Sequence, residues 1–293
     1  MKRDEEMLFP LWAAWLVRAG NFPAGSLVAA MLFFGFGFAP MRAGAATPAF
    51  QTTREASVLV IGGAMMTGDH FGDASLPVMR EHFAGRGRIA LVLHATHPTE
   101  RDVMEARLKK AFAHLLGEGV QAVSLHWFDD AGARDFLRGA DGIFVGGGET
   151  FVLLAELHRT GQLALMRERV LAGVPYAGTS AGANVAGLLI GTTNDFPVAD
   201  IPSRGALAIF PAVINPHHPA PEPKAEFEAR AGKIRAYLKF NPSETVLALG
   251  NAASVRLHGG RIALMAGKAW IYRAAGVREL VTGEPVTEFG LGR

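Results

Sequence analysis

"VPYAGTSAGANVAGLLIG", residues 174–191, decides the fold. A short apolar run reaches Gly178-Thr179-Ser180-Ala181-Gly182, and small apolar residues at helical spacing follow. That order is strand, tight turn, helix. Working outward, the same order recurs. "SVLVIGG" (57–63) and "RIALVLHAT" (88–96) have the continuous apolar character of strands buried on both faces. "TERDVMEARLKKAFAHLLGEG" (99–119) is a helix ended by Gly117 or Gly119. "VQAVSLHWF" (120–128) is a strand, and "DDAGARDFLRGA" (129–140) a short helix with acidic cap candidates. "DGIFVGGGET" (141–150) is a strand ending in three glycines, and two helices occupy 151–173. Strands alternating with helices predict an α/β fold, a doubly wound parallel sheet with right-handed crossovers. After residue 205 the pattern becomes β-rich. "LAIFPAVI" (207–214) is expected as a strand, 225–239 as a helix, and "TVLALG", "SVRLHG" and "RIALMAG" as closing strands and hairpins.

The composition bounds the function. In 293 residues, 49% are hydrophobic and 19% charged, which is ample for one large core. A net charge of +2 with no dense Lys/Arg run argues against a nucleic-acid partner. The absence of cysteine excludes disulfides, cysteine-ligated metal and a cysteine nucleophile. The first fifty residues differ from the rest. No charge falls between Ala19 and Met41, and Ala43-Gly44-Ala45 is the small-residue pattern of a signal-peptidase site. Residues 1–50 are therefore expected to be an export signal or a membrane anchor, about 20 apolar residues being enough to span a bilayer. An exported, periplasmic or membrane-associated protein follows from that reading; a leader without targeting function would leave it cytoplasmic. Residues 51–293 are expected to form a single α/β domain.

In an open α/β sheet, ligands bind beyond the carboxyl ends of the strands. Two glycine-rich turns fall there: Gly146 to Gly148, and Gly178 to Gly182. G-x-S-x-G on a strand-to-helix turn is the pattern of a nucleophile elbow. The serine must project from a strained turn, and its neighbours must be small where strand and helix approach. The N–H of Ala181, at a helix start, can hold an oxyanion. No Gly-Lys-Ser/Thr follows, as a phosphate loop would require. A serine needs a base, and His217 and His218 in "VINPHHPAP" (213–221) follow an apolar strand. His94 and His97, after the second strand, are further candidates to line the cleft, whereas His114 and His158 lie on helices and read as structural. Asp195, in "GTTNDFPVAD" (191–200), is the local candidate to orient the imidazole.

"VGGGETFVLL", "YAGTSAGANVAG", "TTNDFP" and "FPAVINPHH" occur in that order. Together they resemble the serine peptidase family of dipeptidase E (α-aspartyl dipeptidase) and cyanophycinase, over about residues 57 to 275. The resemblance implies a flavodoxin-like α/β fold related to class I glutamine amidotransferase domains. It also implies hydrolysis of short peptides with an N-terminal aspartate, without metal or cofactor. By motif, Ser180 matches the nucleophile, His217 the base and Asp195 the third member. Gly148 and Ala181 would supply the oxyanion N–H groups, and Arg230, in "EFEARAGKIR" (226–235), would hold the substrate carboxylate. Two positions depart from the family. Glu149 stands where an asparagine is usual, either opposing charge in the oxyanion hole or binding the substrate's α-amino group. Gly250-Asn251-Ala252 stands where the family carries a glutamate, and Asn251 is a second candidate to orient His217. A different peptide substrate, including a cyanophycin-like one, and a binding protein on the same scaffold are the rival expectations.

Overall fold

The computed structural model describes residues 49–284 and 286–290. The expected signal or anchor lies almost wholly outside the described residues. Among the described residues, no helix is long and apolar enough to cross a membrane.

The chain begins with β1 (Ser57–Ile61), a small hairpin of β2 (Met66–Thr67) and β3 (His70–Phe71), and α1 (Leu76–His82). Then come β4 (Arg88–Val92), α2 (Arg101–Leu116), β5 (Gln121–Ser124), α3 (Asp130–Gly139) and β6 (Gly142–Val145). The helices α4 (Thr150–Arg159) and α5 (Gln162–Leu171) precede β7 (Tyr176–Thr179) and α6 (Ala181–Ala186). The C-terminal part holds β8 (Val213–His218), α7 (Lys224–Phe240), β9 (Val246–Gly250), β10 (Ser254–His258), β11 (Arg261–Ala266), β12 (Ala269–Arg273) and β13 (Gly276–Glu279).

The main sheet runs β11-β10-β1-β7-β6-β4-β5, with β1, β7, β6, β4 and β5 mutually parallel and β10 and β11 antiparallel at one edge. Counted from β4, the order β5-β4-β6-β7 is the flavodoxin arrangement, with β1 in the fifth place. The apolar runs of the central strands serve two cores at once. Val58 and Val60 join one core cluster, and Leu59 and Ile61 join the other. In β6, Ile143 and Val145 face the first cluster and Phe144 the second. Side chains alternate along a strand, so a strand covered by helices on both faces must be apolar throughout.

The C-terminal part differs from the sequence expectation. β8, β9, β12 and β13 form a separate four-stranded sheet with its own core of Val213, Ile234, Leu238, Val246 and Trp270. Residues 207–212 do not form the expected strand. Leu207, Ala208 and Ile209 instead donate backbone bonds to Val185, Gly187 and Ala186 at the end of α6. The strand starts at Val213 and continues through Pro216. It can do so because β8 is an edge strand, where a residue without an N–H costs no ladder bond.

Candidate active site

The site forms where the end of β7 meets the ends of β1, β6 and β8. Ser180 sits between β7 and α6 with φ 54° and ψ −112°. Its turn is tight enough to need both flanking glycines. A Cβ on Gly182 would lie 2.4 Å from the carbonyl oxygen of Val145, and one on Gly178 would lie 2.3 Å from that of Gly182. The strain is shared across the site. Of the five non-glycine residues with positive φ among the described residues, four (Ala64, Ser180, His217 and Ala252) belong to the segments that build it. Such conformations cost about 1–3 kcal/mol each and persist only where the surroundings over-determine them.

Those surroundings are the end of β1. The carbonyls of Ile61, Gly62 and Gly63 accept, in turn, the N–H groups of Ser180 (3.0 Å), His217 (3.0 Å) and Ala252 (2.7 Å). Three consecutive carbonyls thus fix three segments that are distant in sequence and drawn from both sheets. His217 Nε2 lies 2.8 Å from Ser180 Oγ, and His217 Nδ1 lies 2.7 Å from Asn251 Oδ1. With the asparagine oxygen accepting, Nδ1 carries the proton and the Nε2 lone pair faces the serine hydroxyl. The N–H groups of Gly147, Gly148 and Ala181 have no acceptor among the described residues. Gly147 stands against the nucleophile, since a Cβ there would lie 3.0 Å from that of Ser180.

The other sequence candidates fall in different places. Asp195 does not reach His217, both of whose ring nitrogens are already engaged. Its Oδ2 accepts the Thr150 N–H at 2.9 Å, together with the hydroxyls of Thr150 and Thr193. It therefore caps α4, the helix that starts behind Gly146-Gly147-Gly148, and its charge suits a helix N-terminus. Arg230 does not line the cleft beside Ser180. Its Nη1 points to Asn215 Oδ1 and to the carbonyls of Pro216 and His217, and burial pulls its pKa down. Glu149 is exposed, makes no cap bond and does not line the cleft either. His218 is buried on the opposite side of β8 from His217, bonded to Tyr272 and the Pro219 carbonyl, and burial lowers its pKa. His94 is buried against Gln162, and His97 caps a short turn through Thr99.

The cleft beside Ser180 has a volume of about 260 Å³. Among the described residues, no group of three or more His, Asp or Glu side chains could hold a metal ion.

The model of peptidase family S51 matches residues 58–265. The chain is similar to Peptidase E of Shewanella amazonensis, at 41% identity over 48% of this chain and 60% of that one. It spans less than two thirds of that relative. Peptidase E of Pasteurella multocida is 34% identical over 69% of this chain and 86% of that one. Among solved structures, a peptidase from an acI-B1 Actinobacterium superposes with a TM-score of 0.60 at 16% identity, covering 79% of this chain and 96% of that one. At that identity the likeness speaks for the fold.

Proposed function

The chain belongs to peptidase family S51, and from that membership we propose a serine peptidase that cleaves short peptides, with an N-terminal aspartate as the expected first residue. The observation that carries the reading is the hydrogen-bonded line Ser180–His217–Asn251 beside three N–H groups that have no acceptor among the described residues. Ser180 Oγ attacks the peptide carbonyl while His217 Nε2 takes the hydroxyl proton. The oxygen of that carbonyl becomes negative and moves toward the N–H groups of Gly147, Gly148 and Ala181, at the starts of α4 and α6. His217 then gives its proton to the departing amine, leaving an ester on Ser180. Water, deprotonated by the same nitrogen, opens the ester. Asn251 holds the imidazole in the tautomer that every step needs.

A fluorophosphonate label and an Asp-Leu dipeptide test this reading together. An adduct on Ser180 and release of free aspartate are expected; a protein with neither is a binding protein on this scaffold.

Two residues separate this arrangement from one built on an acid. Asn251→Ala removes a bond that strengthens as the imidazole becomes charged, a contact worth about 1.5–3 kcal/mol. Steady-state kinetics should give a kcat lower by about tenfold to a hundredfold, with KM little changed. Asp195→Asn keeps an acceptor oxygen but removes the charge at the start of α4, and should lower unfolding stability in denaturant by about 0.3–2 kcal/mol. Its effect on kcat should stay far below the ~10⁴-fold loss that follows when a triad carboxylate becomes an amide. A loss of that size would return Asp195 to the role of orienting acid.

A further inference from the structure

Among the described residues, the cleft beside Ser180 contains one cation that none of the steps above uses. We propose that Arg107, on α2, is the residue that holds a carboxylate of the peptide; the identification of the occupant as a peptide rests on the reading above. Apart from His217, Arg107 is the only ionisable residue among the described residues that line this cleft. The large side chains of the remaining wall are apolar: Met65, Met66, Met104, Leu108 and Phe144. A bound carboxylate therefore has a single ionic partner among the described residues of the lining.

The guanidinium is already positioned. Nε and Nη2 both donate to the carbonyl of Gly68, at 3.2 and 2.8 Å, in the turn between β2 and β3. Nη1 has no acceptor among the described residues. The neighbouring Asp69 does not neutralise it. Asp69 Oδ2 is held by Lys110 at 2.8 Å, while Arg107 Nε stands 4.0 Å from Oδ1. Two cations share one carboxylate, so the edge of the cleft keeps one uncompensated positive charge. Arg230, by contrast, spends its Nη1 on the end of β8.

A small peptide offers two carboxylates, an aspartate side chain and the C-terminus. The test uses the Ser180→Ala protein, which can bind peptide without turning it over, with and without Arg107→Gln. Calorimetry measures the binding of Asp-Leu, Asn-Leu and Asp-Leu amide to both. Arg107→Gln is expected to weaken Asp-Leu by about tenfold to a hundredfold. It should leave unchanged the one peptide that lacks the carboxylate in question: Asn-Leu if Arg107 reads the side chain, the amide if it reads the C-terminus. Arg107→Lys, which keeps the charge, should recover part of the loss. Equal weakening of all three peptides, no weakening, or no binding of any of them by the Ser180→Ala protein would overturn the assignment. Failure of the peptidase reading looks different: the wild-type protein would bind Asp-Leu through Arg107 and not hydrolyse it.

Discussion

Ser180→Ala is expected to abolish peptide hydrolysis, with kcat falling by roughly 10⁶-fold, the size of loss when the nucleophile of a concerted triad is removed. Circular dichroism and thermal unfolding should be unchanged. The fold tolerates this substitution because only Oγ is lost. The Cβ that packs against Gly147 stays, and the backbone bond from residue 180 to Ile61 does not involve the side chain. The hydroxyl adds little to stability, since its contact is one bond to an exposed imidazole. Activity and stability therefore separate cleanly at this position. A variant that kept a substantial part of the wild-type rate would remove Ser180 from the chemistry and leave the glycine-rich turn as a packing feature only.

Gly63→Ala should also cost activity, although residue 63 performs no chemistry. A Cβ there would lie 2.2 Å from His217 Cε1 and 2.6 Å from Nδ1, far inside van der Waals contact. The backbone cannot yield easily, because the Gly63 carbonyl also holds the N–H of Ala252, beside Asn251. The imidazole must move, and it can move only by giving up Ser180, Asn251 or both. A displacement of about 1 Å is enough for a hundredfold loss, so kcat should fall by at least about that factor. Gly63 also has φ +128°, so alanine there is strained as well. Gly85→Ala separates the two causes. Its φ is +72° and nothing lies within 4 Å of the added Cβ, so it should lose stability and keep activity. If Gly63→Ala also kept its rate, the close packing of the imidazole on β1 would not matter to catalysis.

The site was partly legible in the sequence. Ser180 was readable because everything that makes it unusual is local: a strand, two small-residue constraints and a helix start within a dozen positions. His217 was distinguishable from His218 only through motif resemblance. In the structure the two imidazoles point to opposite sides of β8, one to the serine and one into an aromatic core with Trp270 and Tyr272. Asp195 misled for a physical reason. A carboxylate soon after the elbow helix fits a triad acid and a helix cap equally well, and sequence distance does not separate them. Arg230 fits a carboxylate clamp on its motif, but it does not line the cleft, and its Nη1 is engaged by Asn215 Oδ1 and the carbonyls of Pro216 and His217. Nothing in the sequence near Ile61-Gly62-Gly63 indicates that their three carbonyls gather Ser180, His217 and Ala252.

The strand–helix alternation, the doubly wound class and the nucleophile elbow follow from the sequence alone, because periodicity and turn chemistry act over a few residues. Which group faces Nδ1 of His217, which cation borders the cleft, and that β8 and β9 leave the main sheet for one of their own were decided by tertiary structure. Those outcomes depend on contacts between segments far apart in the chain, where packing and hydrogen-bond geometry choose among residues of equal local plausibility.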